Sequence, residues 1–449
     1  MIPHDGVRPA QGRGHADRPG RRKSGAMGKR VKIGVFGARR GLNMLDMLSR
    51  HPDAELAAVC DADRRALREA QAVAGRAGLR IRTYTDFGAF LDDEMDAVVL
   101  ANYATEHAPY AVRVLDSGRH ACSEVLACQN LAEAVALVEA VERSRKVYTY
   151  AENYCYFRGT LEMQRLYRRG DIGEFLHGEG EYVHDCEGIW PAITRGERSH
   201  WRNWIPATFY CTHSIGPILT ITGTRPTRVT AYETPNRVKR RFGGRGADGA
   251  VIVCQMSNGA TAKFLPWCNF PRRPEAVWYA VYGTRGMMET DRWGDTFNRL
   301  NVYIEGDPEA AAQRSYDPRP CLQTPLSRAV SGHGGSDFYT LHFFLEAVLG
   351  RAGKRHAIDV HRALDMTLPG ILAFRSIMQG NAPVDVPDLR RRAERDKYRE
   401  DRWSPDPKLA GPGQPGSSCS WEDVKVPDAV YRRVAARYRQ SLKPARRRG

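Results

Sequence analysis

The run Lys32-Ile33-Gly34-Val35-Phe36-Gly37-Ala38-Arg39-Arg40-Gly41 decides the fold. Residues 32–37 are a short apolar run that reads as a strand, and residues 42–50 carry apolar side chains at helical spacing. Strand, glycine turn and helix open a βαβ unit. The helix start is also an anion site, because its free N–H groups and its dipole favour a pyrophosphate. The glycine pattern is partial: Arg39 stands at the middle position of Gly-x-Gly-x-x-Gly, and Leu42 beside Gly41 at the third. Context strengthens it. A second apolar run, 55–60, ends at Asp61, where a carboxylate can accept from adenosine ribose hydroxyls and repel a 2′-phosphate. That favours NAD, while Arg39 and Arg40 could each reach a phosphate and leave NADP open. Asp61 could instead cap the helix that follows it.

Outward from this unit the alternation continues. Helical spacing over 63–77, 106–116 and 131–144 separates apolar runs at 97–100, 120–124 and 148–152, which predicts a doubly wound, mainly parallel Rossmann sheet. After residue 153 the rhythm changes. A helix is expected over 161–169, and period-two runs follow at 178–184, 228–233, 249–256, 261–265, 277–282 and 299–303, the pattern of a large, mostly antiparallel open sheet. Helices are expected over 336–349 and 360–379. The fold class is thus α/β, a Rossmann domain (29–152) followed by an α+β domain (153–388) for substrate and oligomerisation. A basic tail (1–28) precedes them. A C-terminal extension (389–449) follows, with a Gly/Pro/Ser linker at 410–418 and a basic end.

The net charge is +16, but residues 1–30 supply +6 of it and residues 431–449 supply +8, so the body is nearly neutral. That distribution argues against nucleic acid as a partner of the folded body, and such tails are usually solvated. No run of 18 apolar residues suggests a membrane span, and Arg21-Arg22 lacks the apolar segment of a secretion signal, so a cytoplasmic protein is expected. Ten scattered cysteines without Cys-x-x-Cys suit reduced thiols, and no spacing suggests a metal site. Trp267, Trp278, Tyr279, Tyr282 and Trp293 interleave with charge and suit either core packing or a subunit interface.

Several strings resemble one family in order and spacing. They are the Gly37 turn, Val59-Cys60-Asp61, Asn102-Tyr103-Ala104-Thr105-Glu106-His107, Ser123-Glu124-Val125-Leu126 and Ala151-Glu152-Asn153. The family is the Gfo/Idh/MocA oxidoreductases, and the resemblance runs from about residue 29 to about residue 388. It implies a homo-oligomeric NAD enzyme acting on a small carbohydrate. Val125 stands where ordinary sugar dehydrogenases of the family carry a lysine that polarises the reacting oxygen, and valine has no donor. Phe209 stands where they have an Asp, four residues before the catalytic His.

Closer resemblance is to the NAD-dependent glycoside hydrolases of the alpha-N-acetylgalactosaminidase type. Glu152-Asn153-Tyr154-Cys155-Tyr156, the string 178–185, His200-Trp201-Arg202 and Tyr210-Cys211-Thr212-His213-Ser214-Ile215-Gly216-Pro217 carry it. Leu126 departs from that branch, which has Pro there. The resemblance implies transient oxidation at sugar C3, elimination at the glycosidic bond, and recycling of NAD. Alternatives are a net NAD(P)-dependent sugar or inositol dehydrogenase and a non-catalytic NAD sensor.

His213, Tyr156, Tyr210 and Glu124 are the catalytic candidates, although either tyrosine could equally be a core aromatic. Gly37, Ala38, Arg39, Arg40, Asp61, Asn102, His107, Glu124 and Asn153 are expected on the cofactor. Tyr182, His184, Arg202 and His333 are expected on the sugar.

Overall fold

The computed structural model describes residues 30–293, 298–306, 314–320, 322–329 and 332–442. The tail 1–28 and the last residues, 443–449, lie outside them.

Six strands form the first sheet: β1 (Val31–Phe36), β2 (Ala54–Cys60), β3 (Arg82–Tyr84), β4 (Ala97–Leu100), β5 (His120–Ser123) and β6 (Tyr148–Tyr150). Their order is β3-β2-β1-β4-β5-β6, and every pairing is parallel. β4 is buried at every position, as a strand covered by helices on both faces must be. Parallel pairing sends all carboxyl ends to one edge. Gly37, Asp61, Asn102, Glu124 and Glu152 each follow a strand end within two residues, so they share that edge. The order reverses between β1 and β4, the crevice where such sheets bind ligands.

The second sheet has nine strands: β7 (Phe175–Val183), β8 (Pro226–Glu233), β9 (Ala250–Met256), β10 (Thr261–Trp267), β11 (Ala276–Gly283), β12 (Gly286–Thr290), β13 (Leu300–Ile304), β14 (Arg314–Tyr316) and β15 (Val384–Asp385). Its order is β14-β13-β12-β11-β7-β10-β9-β8-β15, antiparallel throughout except for the parallel pair β7–β10. Trp278 and Tyr279 on β11 are core residues, whereas Trp293 is exposed.

Helix Thr212–Thr222 lies directly on β7. Two glycines of that strand make the approach possible: a Cβ at Gly180 would overlap the Ser214 carbonyl, and one at Gly178 would press on Ile218. The Tyr279 hydroxyl donates to the His213 carbonyl at 2.6 Å from beneath. The start of this helix is therefore fixed against the sheet.

The basic C-terminus departs from expectation. Within it, helix Asp428–Ser441 buries Tyr431 and Val434. Tyr431 packs with Ala207, Cys419, Val424 and Val426 in a small cluster separate from the main core. The described cysteines are all free thiols. No helix among the described residues is long and apolar enough to cross a membrane.

The Rossmann unit meets helix Ser336–Val348 through paired imidazoles, with His51 Nε2 3.1 Å from His342 Nδ1. Burial, then the neighbouring His342, pushes His51 down to about 4 from 6.5. The unfolded chain therefore binds the extra proton first. Stability is intact above about pH 6.5 and is lost as pH falls toward about 4. Urea unfolding across that window is expected to show this loss, and a His51→Asn variant a shallower one.

Candidate functional site

At the first strand end Gly37 has φ +98°, and a Cβ there would overlap the backbone of Ala101 and Asn102, so only glycine fits the turn. Helix Ala38–Arg50 begins with no side-chain cap and no acidic residue in its first turn. The N–H groups of Arg39 and Arg40 are thus open to an anion. Asp61 accepts from Ala38 N and from Asp63 N, both at 2.8 Å. It does not cap the next helix, whose N-cap is Asp63. Arg39 is paired with Asp63 and reaches the Tyr438 hydroxyl at 3.4 Å. Arg40 lies 2.5 Å from Glu124 Oε1. Asn102 keeps a buried side-chain oxygen with no partner among the described residues. Free N–H groups in the first helical turn behind a glycine-only turn, a carboxylate at the second strand end and an unpartnered amide oxygen fit a dinucleotide.

His107 braces the turn after β5 and keeps its Nε2 buried with no partner among the described residues. It is 1% exposed and its Nδ1 bonds the Leu126 carbonyl at 2.9 Å, so it supports the Glu124–Leu126 turn from behind. Burial keeps its pKa below the ordinary histidine value. Asn153 Nδ2 donates to Asp337 Oδ1 at 2.7 Å, and His333 Nδ1 meets the same carboxylate at 3.0 Å. A cavity of about 220 Å³ opens here, lined by Arg40, Met44, Glu124, Asn153, Asp337 and Thr340 among others.

The chemistry-bearing cluster forms where β6 meets helix Thr212–Thr222. Glu152 is fully buried, and its Oε1 lies 2.7 Å from His213 Nδ1. Gly216 makes room for this approach, since a Cβ there would press on Glu152 and Cys155. His213 Nε2 lies 3.3 Å from the Tyr210 hydroxyl, and Arg202 Nη2 donates to that hydroxyl at 3.2 Å. Donor and acceptor roles then follow in sequence. A carboxylate only accepts, so Nδ1 carries the proton; Nε2 accepts from Tyr210, whose oxygen accepts from Arg202. Burial raises the Tyr210 phenol above its usual range, and the Arg202 charge pulls it back. Tyr154 stacks on the His213 ring at 4.2 Å, and Tyr182 stands 4.8 Å from it. His184 sits at the edge, 5.5 Å from Tyr182 and 3.3 Å from Glu275.

Tyr156 is a correction. It turns into the core, where its hydroxyl donates to the His356 carbonyl at 2.8 Å and its ring packs on Phe343. Sequence reasoning missed Tyr154, which takes the place against His213, and Glu152, which anchors it. The 3₁₀ turn Asn153–Tyr156 decides which tyrosine faces inward, and no strand or helix period reports that. Among the described residues no group of three or more His, Cys, Asp or Glu could hold a metal ion.

Comparison with known proteins follows this division. Residues 31–152 match the oxidoreductase family described as an NAD-binding Rossmann fold, and residues 156–395 match the glycosyl hydrolase 109 C-terminal domain. The chain belongs to glycosyl hydrolase family 109. It is an enzyme built on an NAD-binding Rossmann unit of Gfo/Idh/MocA type. One family 109 relative, glycosyl hydrolase family 109 protein 1 of Bacteroides thetaiotaomicron, is 27% identical over 400 residues, covering 80% of this chain and 85% of its own. The alpha-N-acetylgalactosaminidase of Tannerella forsythia is 28% identical over 346 residues, covering 67% and 72%. Among solved structures, an inositol dehydrogenase homolog from Azotobacter vinelandii, complexed with NADH and myo-inositol, aligns with a TM-score of 0.64 at 17% identity. That alignment covers 80% of this family 109 chain and 98% of the other, and it speaks for the fold alone.

Proposed function

We propose that this protein hydrolyses a glycoside by transient oxidation of the sugar at C3, with NAD retained between turnovers. The observation that carries the reading is the chain Arg202–Tyr210–His213–Glu152, together with a valine at position 125 that offers no donor.

The Gly37 turn and the free N–H groups of Arg39 and Arg40 cradle the pyrophosphate, while the Ala38 N–H is held by Asp61. Asp61 keeps lone pairs for the adenosine ribose, since each oxygen takes one backbone N–H. Both nearby arginines are already paired with carboxylates, which supports NAD over NADP. Asn102, Asn153 and Glu124 hold the nicotinamide half, with His107 bracing the Glu124 turn. Bound there, NAD supplies a reversible hydride acceptor for the sugar carbon.

The protein's own residues manage the protons. Tyr210 accepts the proton of the reacting hydroxyl and passes its own to His213 Nε2, and the Glu152 carboxylate stabilises the imidazolium. Arg202 holds negative charge on the phenolic oxygen. A ketone at C3 makes the C2 proton acidic. Removing it breaks C2–H, forms C1=C2 and expels the aglycone from C1. Water then adds, oxygen to C1 and hydrogen to C2, and the ketone is reduced again. No pair of carboxylates flanking the bond is needed. Tyr182, His184 and His333 line the sugar side.

Aryl glycosides of both anomeric configurations, incubated with purified protein and no added cofactor, test this. Aglycone release by protein whose heat-denatured supernatant contains NAD is the expected result. Steady NADH formation from free sugars, without aglycone release, would assign a net dehydrogenase instead.

A further inference from the structure

Beside Tyr210, away from the cofactor edge, is a second, small cavity of about 20 Å³, lined by Trp190, Trp201, Arg202, Tyr210, Lys239 and Asn269 among others. Two of its walls are cations. The Arg202 guanidinium is clamped against Trp201 and Tyr210, 4.4 and 4.8 Å from their ring centroids. Lys239 is 4% exposed, and its stem lies over Gly244, where a Cβ would overlap it. Among the described residues neither side chain has a carboxylate within ion-pair distance, and the Lys239 ammonium has no hydrogen-bond acceptor. Asp248 is the one carboxylate on the wall, and it is already engaged: it accepts from the backbone N–H groups of Arg237, Val238 and Lys239 at 2.7–2.8 Å. Asn236 ties the same loop to the carbonyls of Gly244 and Gly246. Lys239 is therefore held inward by a rigid loop rather than drawn there by a partner.

Burial without an anion holds the Lys239 amine below the ordinary lysine range, and an arriving carboxylate would restore its charge. From this we infer that the cavity between Arg202 and Lys239 receives a carboxylate of the substrate, so that the sugar bound beside His213 is a hexuronide rather than a neutral or N-acetylated sugar. Size favours a carboxylate. The space holds about one water-sized group, which suits a planar carboxylate oxygen better than a tetrahedral sulfate. Arg202 then serves twice, with one face of its donor fork on Tyr210 and the other on the substrate acid. The inference rests on reading the His213 cluster as a sugar site.

The test is equilibrium binding to the full-length protein, followed by the fluorescence of the wall tryptophans. The probes are methyl glucuronide and methyl galacturonide, the matching neutral methyl glycosides, methyl N-acetylgalactosaminide and galactose 6-sulfate. Hexuronides are expected to bind at least about tenfold more tightly than neutral sugars, the scale of a charge-assisted hydrogen bond. In Lys239→Met that preference should fall to within about twofold of unity. Removal of the unpaired ammonium should leave the ligand-free midpoint of thermal unfolding no lower than in the parent protein, which separates a lost subsite from a damaged fold. Equal binding of neutral or N-acetylated sugars, tighter binding of the sulfate, or a preference that survives Lys239→Met would overturn the inference. Lysine-dependent hexuronide binding without cleavage of any aryl glycoside would strike the hydrolytic reading and leave the carboxylate subsite standing. Cleavage of neutral glycosides without an acidic preference would do the reverse.

Discussion

His213→Ala is expected to lower aglycone release by about 10³-fold, within the range that positioned acid–base groups contribute. Its NAD content should stay at the parent level. The two readouts separate because His213 touches Glu152, Tyr210 and the stacked Tyr154, none of which follows the turn that cradles the pyrophosphate. Glu152→Gln is the sharper companion. It keeps the shape but replaces the carboxylate that fixes the Nδ1–H tautomer, so the imidazole loses its counter-charge in the protonated state. A fall of about 10²-fold in kcat, with KM little changed, identifies a residue acting through His213 rather than on the sugar. Rates of single turnover on an activated aryl glycoside, with NAD quantified in the same samples, check both.

Gly180→Val is the second large effect, and it falls on the fold. The added Cβ would overlap the Ser214 carbonyl, a backbone atom that cannot rotate aside. Either β7 or helix Thr212–Thr222 must move, and the helix carries His213 against the sheet. Overpacking of this kind costs about 1–3 kcal/mol, toward the upper end where backbone is the obstacle. Urea unfolding should show that loss, and activity should fall further than stability explains, because the displaced helix separates His213 from Glu152. Unchanged unfolding would mean that the strand and helix are less closely seated than the Gly180–Ser214 approach requires.

The first sheet was legible because its signals are local. Continuous apolar runs such as Ala97–Leu100, punctuated by amphipathic helices, admit few other readings. Helix Thr212–Thr222 was not legible as a helix. Of its residues only Thr220 is not buried, so it has no polar face and no period to detect, and Gly216 and Pro217 read locally as breakers. His213 was nevertheless found, through the string that surrounds it. Glu152 was not singled out, because its role depends on a contact 61 residues away that strand β6 alone cannot announce. Tyr156 was chosen over Tyr154 for the same reason: two tyrosines two residues apart exchange faces on the geometry of a single 3₁₀ turn. The short strands β3, β14 and β15 went unseen, since two or three residues carry no alternation.

Hydrolysis in D₂O distinguishes elimination from direct displacement. If the glycosidic bond breaks by elimination after oxidation at C3, the C2 hydrogen leaves with the base and is replaced from solvent, while the C3 hydrogen is returned. The released sugar should then carry deuterium at C2 and protium at C3. A product protonated at both positions, formed at the full rate of cleavage, is what direct displacement at C1 would give, and it would contradict the account.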